Sequence, residues 1–144
     1  MVHAIFCAHG QLAGAMLDSV RMVYGEVNVS AVAFVPGENA ADIAINLEKL
    51  VSAHTDEEWV IAVDLQCGSP WNAAAGLAMR HPQIRVISGL SLPLALELVD
   101  NQHTLSADDL CQHLQAIASQ CCVVWQQPET VEEEFSDANY PRPY

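Results

Sequence analysis

Basic residues are scarce in this chain: five Lys and Arg face eighteen Asp and Glu over 144 residues, for a formal net charge of -13. Such a surface repels phosphate backbones and anionic headgroups at long range, which argues against nucleic-acid binding and against attachment to a membrane surface. Long apolar runs are missing too. None approaches the roughly 18 residues needed to cross a bilayer, so direct membrane insertion is not expected. Met1-Val2-His3-Ala4 places no basic segment ahead of the first apolar stretch, which speaks against a secretory signal. Neither CxxC nor HExxH occurs, and His3, His54, His81, His103 and His113 share no metal-ligand spacing; no metal and no cofactor are expected. The five cysteines are odd in number and two, Cys121 and Cys122, are adjacent. That usage fits free thiols in a reducing compartment, and the expected location is cytoplasmic.

What is present is a core. The chain is 51% hydrophobic and 16% charged, enough apolar material for one folded domain. The domain is expected over residues 1–127. Residues 128–144 gather Glu129, Glu132, Glu133, Glu134 and Asp137 with Pro128, Pro141 and Pro143, and read as an acidic, solvated tail. Without the tail the chain still carries thirteen acidic residues against four basic ones, so a protein partner offering a basic face would be steered towards it.

The apolar pattern alternates between short runs and helical stripes. Val2 to Ala8 is an apolar run ending at His9-Gly10, the pattern of a buried strand. A stripe at Leu12, Met16, Val20 and Val23 follows, stopped by Gly25 as a C-terminal cap. Val27 to Val35 is the second strand, closed by a turn and cap at Pro36-Gly37-Glu38-Asn39, and a second stripe runs through Ile43, Leu47, Leu50 and Val51. Trp59 to Val63 is the third strand; Asp56-Glu57-Glu58 before it reads as a solvated connection. Asp64-Leu65-Gln66-Cys67-Gly68 then leads to Ser69-Pro70, with Ser69 as N-cap and Pro70 at the first position of a helix ending near His81-Pro82. Ile84 to Ser88 is the fourth strand, followed by helices opening at Pro93 and at Ser106, whose spacing to Asp109 resembles a capping box. Cys121 to Trp125 is β-branched and aromatic enough for a fifth strand. Met16, Met22 and Met79 sit at helical spacing as core filler. Strands alternating with helices, none with strict apolar/polar alternation, define an α/β fold around a parallel central sheet with helices on both faces. An order of 2-1-3-4 would bring strands one and three together.

In such a sheet, ligands bind beyond the carboxyl ends of the strands, near the point where strand order reverses. Two loops fall there: His9-Gly10, and Asp64 with Gly68-Ser69-Pro70 at the mouth of a helix. A histidine, a carboxylate and a helix N-terminus together suit capture of a phosphoryl group. One imidazole nitrogen attacks while the other keeps its proton against Asp64, and the unpaired N–H groups and hydroxyl after Gly68 and Ser69 hold the phosphoryl oxygens.

These motifs carry a family likeness. His9-Gly10, the string Phe34-Val35-Pro36-Gly37-Glu38-Asn39-Ala40, Val63-Asp64 followed by Gly68-Ser69-Pro70-Trp71-Asn72-Ala73-Ala74, and Ile87-Ser88-Gly89 through Pro93-Leu94 resemble the mannose-family enzyme IIA components of the sugar phosphotransferase system. In detail they are most similar to the N-acetylgalactosamine/galactosamine branch. The resemblance covers roughly residues 1–126. It implies that His9 accepts a phosphoryl group from the phosphocarrier histidine protein and passes it to enzyme IIB of the same system for phosphorylation of an imported amino sugar. It also implies that Asp64 binds the imidazole, that Gly68 and Ser69 bind the phosphoryl group, and that the last strand is exchanged between subunits of a homodimer. Family members often carry Thr-Trp-Gly where this chain has Leu65-Gln66-Cys67, so no role transfers to those three residues.

Rival readings stay open at this point. A related IIA-like domain donates phosphoryl groups to a dihydroxyacetone kinase, and the Gly-Ser-Pro-Trp-Asn-Ala-Ala string favours sugar transport over it. A non-enzymatic regulatory or ligand-binding module would leave His9 idle. Cys7 and Cys67 flank both motif loops, but Cys7 lies inside an apolar run, where thiols are usually inert.

Overall fold

The computed structural model describes residues 1–129. Four strands alternate with helices: β1 (His3–His9), α1 (Leu12–Tyr24), β2 (Val29–Phe34), α2 (Ala40–Val51), β3 (Trp59–Val63), α3 (Ser69–Arg80), β4 (Ile84–Ile87), α4 (Leu92–Asn101) and α5 (Ala107–Ile117). The strands pair in the order β2-β1-β3-β4, all parallel. This is the expected α/β architecture and strand order.

Both faces of the sheet are covered, which is why β1 and β3 read as unbroken apolar runs. On one face Ala4, Phe6, Ala8, Val60 and Ala62 meet Ala13, Leu17 and Val20 of α1 together with α4 and α5. On the other, Ile5, Cys7, Ile61 and Val63 meet Ile43, Leu47 and Val51 of α2 and Ala73, Ala74 and Leu77 of α3. Local signals set the element ends. Asn39 caps α2 in a reciprocal box with Asp42, Ser106 accepts the Asp109 N–H, and Gly25 closes α1 at φ 75°. Gln102, 1% exposed, ties the start of the sheet to its neighbours: its Nε2 donates to the Val2 and Asn28 carbonyls at 2.9 and 3.0 Å.

Several expectations are corrected. The buried stripe of α1 is Ala13, Leu17 and Val20, while Leu12 and Val23 are exposed. Ala13 sets the phase because a small side chain lets the helix approach the sheet closely. Met22 and Met79 are exposed rather than core filler; Met16 does pack against the core. The cap of α3 is Gly68, in extended geometry, so that Ser69 is the first helical residue and Pro70 the second. Glu58 is not merely solvated, since it accepts the Ala107 N–H at 3.2 Å. Cys121–Trp125 forms no strand in this chain: a 3₁₀ turn, Ala118–Cys121, continues α5, and beyond it Val123, Val124 and Trp125 are 82%, 78% and 59% exposed. β-branched composition makes a strand only where a sheet edge completes its hydrogen bonds, and among the described residues the sheet is β2-β1-β3-β4 alone. From residue 130 onward the expected acidic tail lies outside the described residues.

Gln102→Ala removes a donor shared by two carbonyls in the interior. With one to two groups left unsatisfied at about 1–3 kcal/mol each, the variant should lose about 2–4 kcal/mol in urea unfolding.

Candidate functional site

Parallel pairing places the ends of β1 and β3 side by side. Cys7 lies opposite Val63, so the chain continues to His9 on one strand and to Asp64 on the other at the same edge. Three backbone contacts hold this edge. Gly10 N–H donates to the Phe34 carbonyl at 2.7 Å, Leu90 N–H to that of Val63 at 3.0 Å, and Gly89 N–H to that of Asp64 at 3.3 Å. Gly10 adopts φ 57°, the left-handed conformation that glycine takes without penalty, and turns the chain from β1 into α1.

The two side chains meet directly. Asp64 Oδ2 lies 2.8 Å from His9 Nδ1 and accepts the His9 backbone N–H at 3.1 Å, while Oδ1 accepts the Leu65 N–H at 3.0 Å. A carboxylate only accepts, so Nδ1 carries the ring proton and Nε2 is left with its lone pair. Asp64 is 10% exposed at its side chain and His9 43%, so a sheltered anion holds an open ring. Partial burial alone would raise the Asp64 pKa. The hydrogen bonds from the His9 backbone and ring, the attraction of His9 and a neighbouring backbone N–H outweigh it, and the carboxyl is held below its ordinary value. Phe34 presents its ring edge-on to the imidazole, with centroids 5.3 Å apart.

Gly68 closes the other side. A Cβ built on it would lie 3.1 Å from His9 Cε1 and 3.6 Å from Nε2, so a side chain here would press the imidazole aside by a few tenths of an ångström. Its φ of -91° is open to any residue, and proximity rather than conformation calls for glycine here. Cys67 just before it has φ 65°, an uncommon state for a residue with a Cβ. From Gly68 the chain enters α3, whose first turn offers N–H groups at Ser69 and Trp71, a setting that favours an anion. Of the residues expected from sequence, His9, Asp64 and Gly68 are brought together. Ser69 sits half-buried at the start of α3 and, among the described residues, makes no hydrogen bond to His9 or Asp64. Leu65 is exposed, and its N–H steadies Asp64; Gln66 lines a groove of about 380 Å³ with Trp71, Ser88, Asp108, Cys111 and Gln115.

Cys7 is fully buried behind the site, and its thiol is pushed up to about 12, first by burial and then by Asp64 and Glu38. Burial and the neighbouring carboxylates therefore keep this thiol protonated, so Cys7 is not a nucleophile of the site. Sequence reasoning missed Phe34, the Leu65 N–H and the Gly89-Leu90 tether; of these only Gly89, at φ 84°, leaves a mark in the residue string. It also missed a second cluster at the far end of the sheet, where His3, His54 and Glu57 converge.

The fold and this edge define a parallel α/β domain with a carboxylate-held histidine at its strand ends. A family model described as "PTS system fructose IIA component", EIIA-man, matches residues 4–115. The chain belongs to this family, the mannose-type enzyme IIA components of the sugar phosphotransferase system, and is a phosphotransferase that carries phosphohistidine. It is 99% identical over 135 residues to the sorbose-specific EIIA component of Klebsiella pneumoniae, covering 94% of this chain and 100% of that protein. With the sorbose-specific EIIA component of Lacticaseibacillus casei it shares 31% identity over 114 residues, 78% of this chain and 83% of that one. The solved structure of a mannose/sorbose specific IIA subunit from Enterococcus faecalis superposes with a TM-score of 0.83 at 25% identity, covering 89% of this chain and 97% of that one. The expected N-acetylgalactosamine/galactosamine branch is therefore corrected: the relatives at 99% and 31% identity both carry a sorbose name. Among the described residues no helix is long and apolar enough to cross a membrane.

Two outcomes follow from this geometry. Gly68→Ala should fold as the parent does but displace the imidazole from Asp64, seen as shifted His9 ring resonances in NMR spectra. For Asp64, a folded-state pKa below the unfolded one means that the unfolded chain binds the proton more readily. Its contribution to stability is complete above the ordinary value of 3.8 and disappears as pH falls through the lower folded value. The stability gap between parent and Asp64→Asn, followed by urea unfolding across a pH series, should be widest near neutrality and narrow below pH 3.8.

Proposed function

We propose that His9 Nε2 is the atom that carries the phosphoryl group, and that this chain relays it from the phosphocarrier histidine protein to enzyme IIB of a sorbose uptake system. The observation that carries the reading is the 2.8 Å contact of Asp64 with Nδ1, which leaves Nε2 as the nucleophile. In the first transfer the Nε2 lone pair forms the new N–P bond as the bond to the donor imidazole breaks, and the donor ring keeps that electron pair. Nδ1 retains its proton throughout. Positive charge that develops on the His9 ring is offset by Asp64, as a carboxylate does for the histidine of a catalytic triad. The reverse sequence hands the group to enzyme IIB. Gly68 brings the loop backbone close beside Nε2 without a side chain in the way, and the first turn of α3 with Ser69 supplies donors to the phosphoryl oxygens. No metal and no cofactor enter the scheme.

The relatives' names support sorbose as the sugar, and their place in sugar uptake favours this reading over phosphoryl supply to a dihydroxyacetone kinase. A cytoplasmic location follows from the partners. The exposed Val123, Val124 and Trp125 support pairing of the C-terminal segment with a second copy, in a homodimer that covers them.

Mixed with phosphoenolpyruvate, enzyme I and the phosphocarrier protein, the chain should gain one phosphoryl group by intact mass. His9→Ala should gain none, and Asp64→Asn should react about 10²–10⁴-fold more slowly. With the partner IIB and permease membranes added, sorbose rather than N-acetylgalactosamine should be phosphorylated. Label that persists in His9→Ala would refute the assignment.

A further inference from the structure

The end of the sheet opposite His9 holds a cluster that the relay does not use. His3 begins β1, His54 ends the 3₁₀ turn Ser52–His54 after α2, and Glu57 lies in the connection to β3. One donor atom from each of His3, His54 and Glu57 lies within 4.8 Å of the others. Glu57 Oε2 is in contact with His3 Nε2 and lies 3.6 Å from His54 Nδ1. We propose that His3, His54 and Glu57 are a binding site for a divalent transition-metal ion of the zinc class.

The donor chemistry selects the ion. Two imidazoles and one carboxylate, with a fourth position left to water, form a set that zinc takes readily, whereas calcium and magnesium call for oxygen donors. Ligands about 2.0–2.1 Å from a shared tetrahedral centre stand about 3.4 Å apart, so the present spread has to contract by no more than about 1.5 Å.

One ligand is fixed and two are free to adjust. His3 is only 7% exposed; its N–H donates to the Glu58 carbonyl at 2.9 Å, and its Nδ1 faces the Asn28 amide at 3.0 Å. That amide is the orienting partner a metal-bound imidazole needs. With the ion on Nε2 the ring proton resides on Nδ1, and Asn28 receives it once its amide turns to present oxygen. His54 and Glu57 are half-exposed on short connecting segments. The His3 and His54 rings are stacked with centroids 4.5 Å apart and planes 16° from parallel. An ion lies in the plane of each ring that binds it, so His54 has to swing out of the stack, and its exposed position permits this. β1 spans seven residues at about 3.3 Å each, which sets the cluster about 20 Å from the relay edge. An ion here would fasten the α2–β3 connection to the first residue of the central strand.

Zinc sulfate, added to the untagged full chain in a phosphine reductant, tests this when the ring resonances of all six histidines are followed by NMR. The resonances of His3 and His54 should move together before one equivalent is reached. His54→Ala and Glu57→Gln, both surface changes, should each weaken that event by about tenfold or more, and Asp56→Asn should not. A first equivalent that shifts His9, or that goes to thiols and shifts no histidine, would overturn the proposal. So would affinity unchanged in His54→Ala and Glu57→Gln.

Discussion

Because β1 and β3 run parallel as neighbours, the last residue of one reaches the residue just past the end of the other. The contact between Asp64 and His9 is the direct product of that pairing. The rest of the relay edge depends on it. With Nδ1 committed to the carboxylate, Nε2 keeps its lone pair, and Gly68 packs close beside that edge of the ring because it carries no side chain. An antiparallel pairing would have put His9 and Asp64 at opposite edges. The chemistry therefore rests on strand direction before it rests on any side chain.

Electrostatics at this edge runs against the character of the whole molecule. A chain with net charge -13 is a poor host for a doubly charged phosphoryl group, and a carboxylate beside the acceptor adds to the repulsion. Under the proposed relay, compensation is local: the first turn of α3 offers backbone N–H groups, and the imidazole would itself become cationic once it bears phosphorus. A site that binds its cargo without fixed positive charge can also release it, which a relay between two proteins requires. The overall acidity is the kind of surface that would steer a partner with a basic face.

Much of this was legible from residues alone, and the exceptions have physical causes. Buried central strands read as apolar runs because both faces are covered, so β1 and β3 were placed to within a residue or two. That His9, Asp64 and Gly68 meet could be read because parallel α/β topology sends strand ends to one edge. The α1 stripe was misphased because Ala13 is too small to register as a core position, although smallness is what the packing needs. Ser69 was read as the cap of α3 by residue preference, whereas closeness to the His9 ring makes the cap Gly68. Cys121 to Trp125 has strand composition but, among the described residues, lies outside the four-stranded sheet. The His3, His54 and Glu57 cluster had no spacing to reveal it, since only the shared starting edge of β1 and β3 draws positions 3, 54 and 57 together.

β1 meets the flanks of β3 through a histidine at each of its ends, His3 with Glu57 before β3 and His9 with Asp64 after it. These two latches act as a check on folding fidelity. A slip of β1 by one residue would turn its buried side chains to the opposite face and would unfasten both ends at once. A nearly uniform apolar strand such as His3–His9 carries little internal information about its alignment, because its neighbours on either face are similar in size and polarity. The polar pairs at its two ends supply that information. A misaligned chain would break the polar contacts at both ends of its most buried strand, and losing both at once makes the wrong alignment costly.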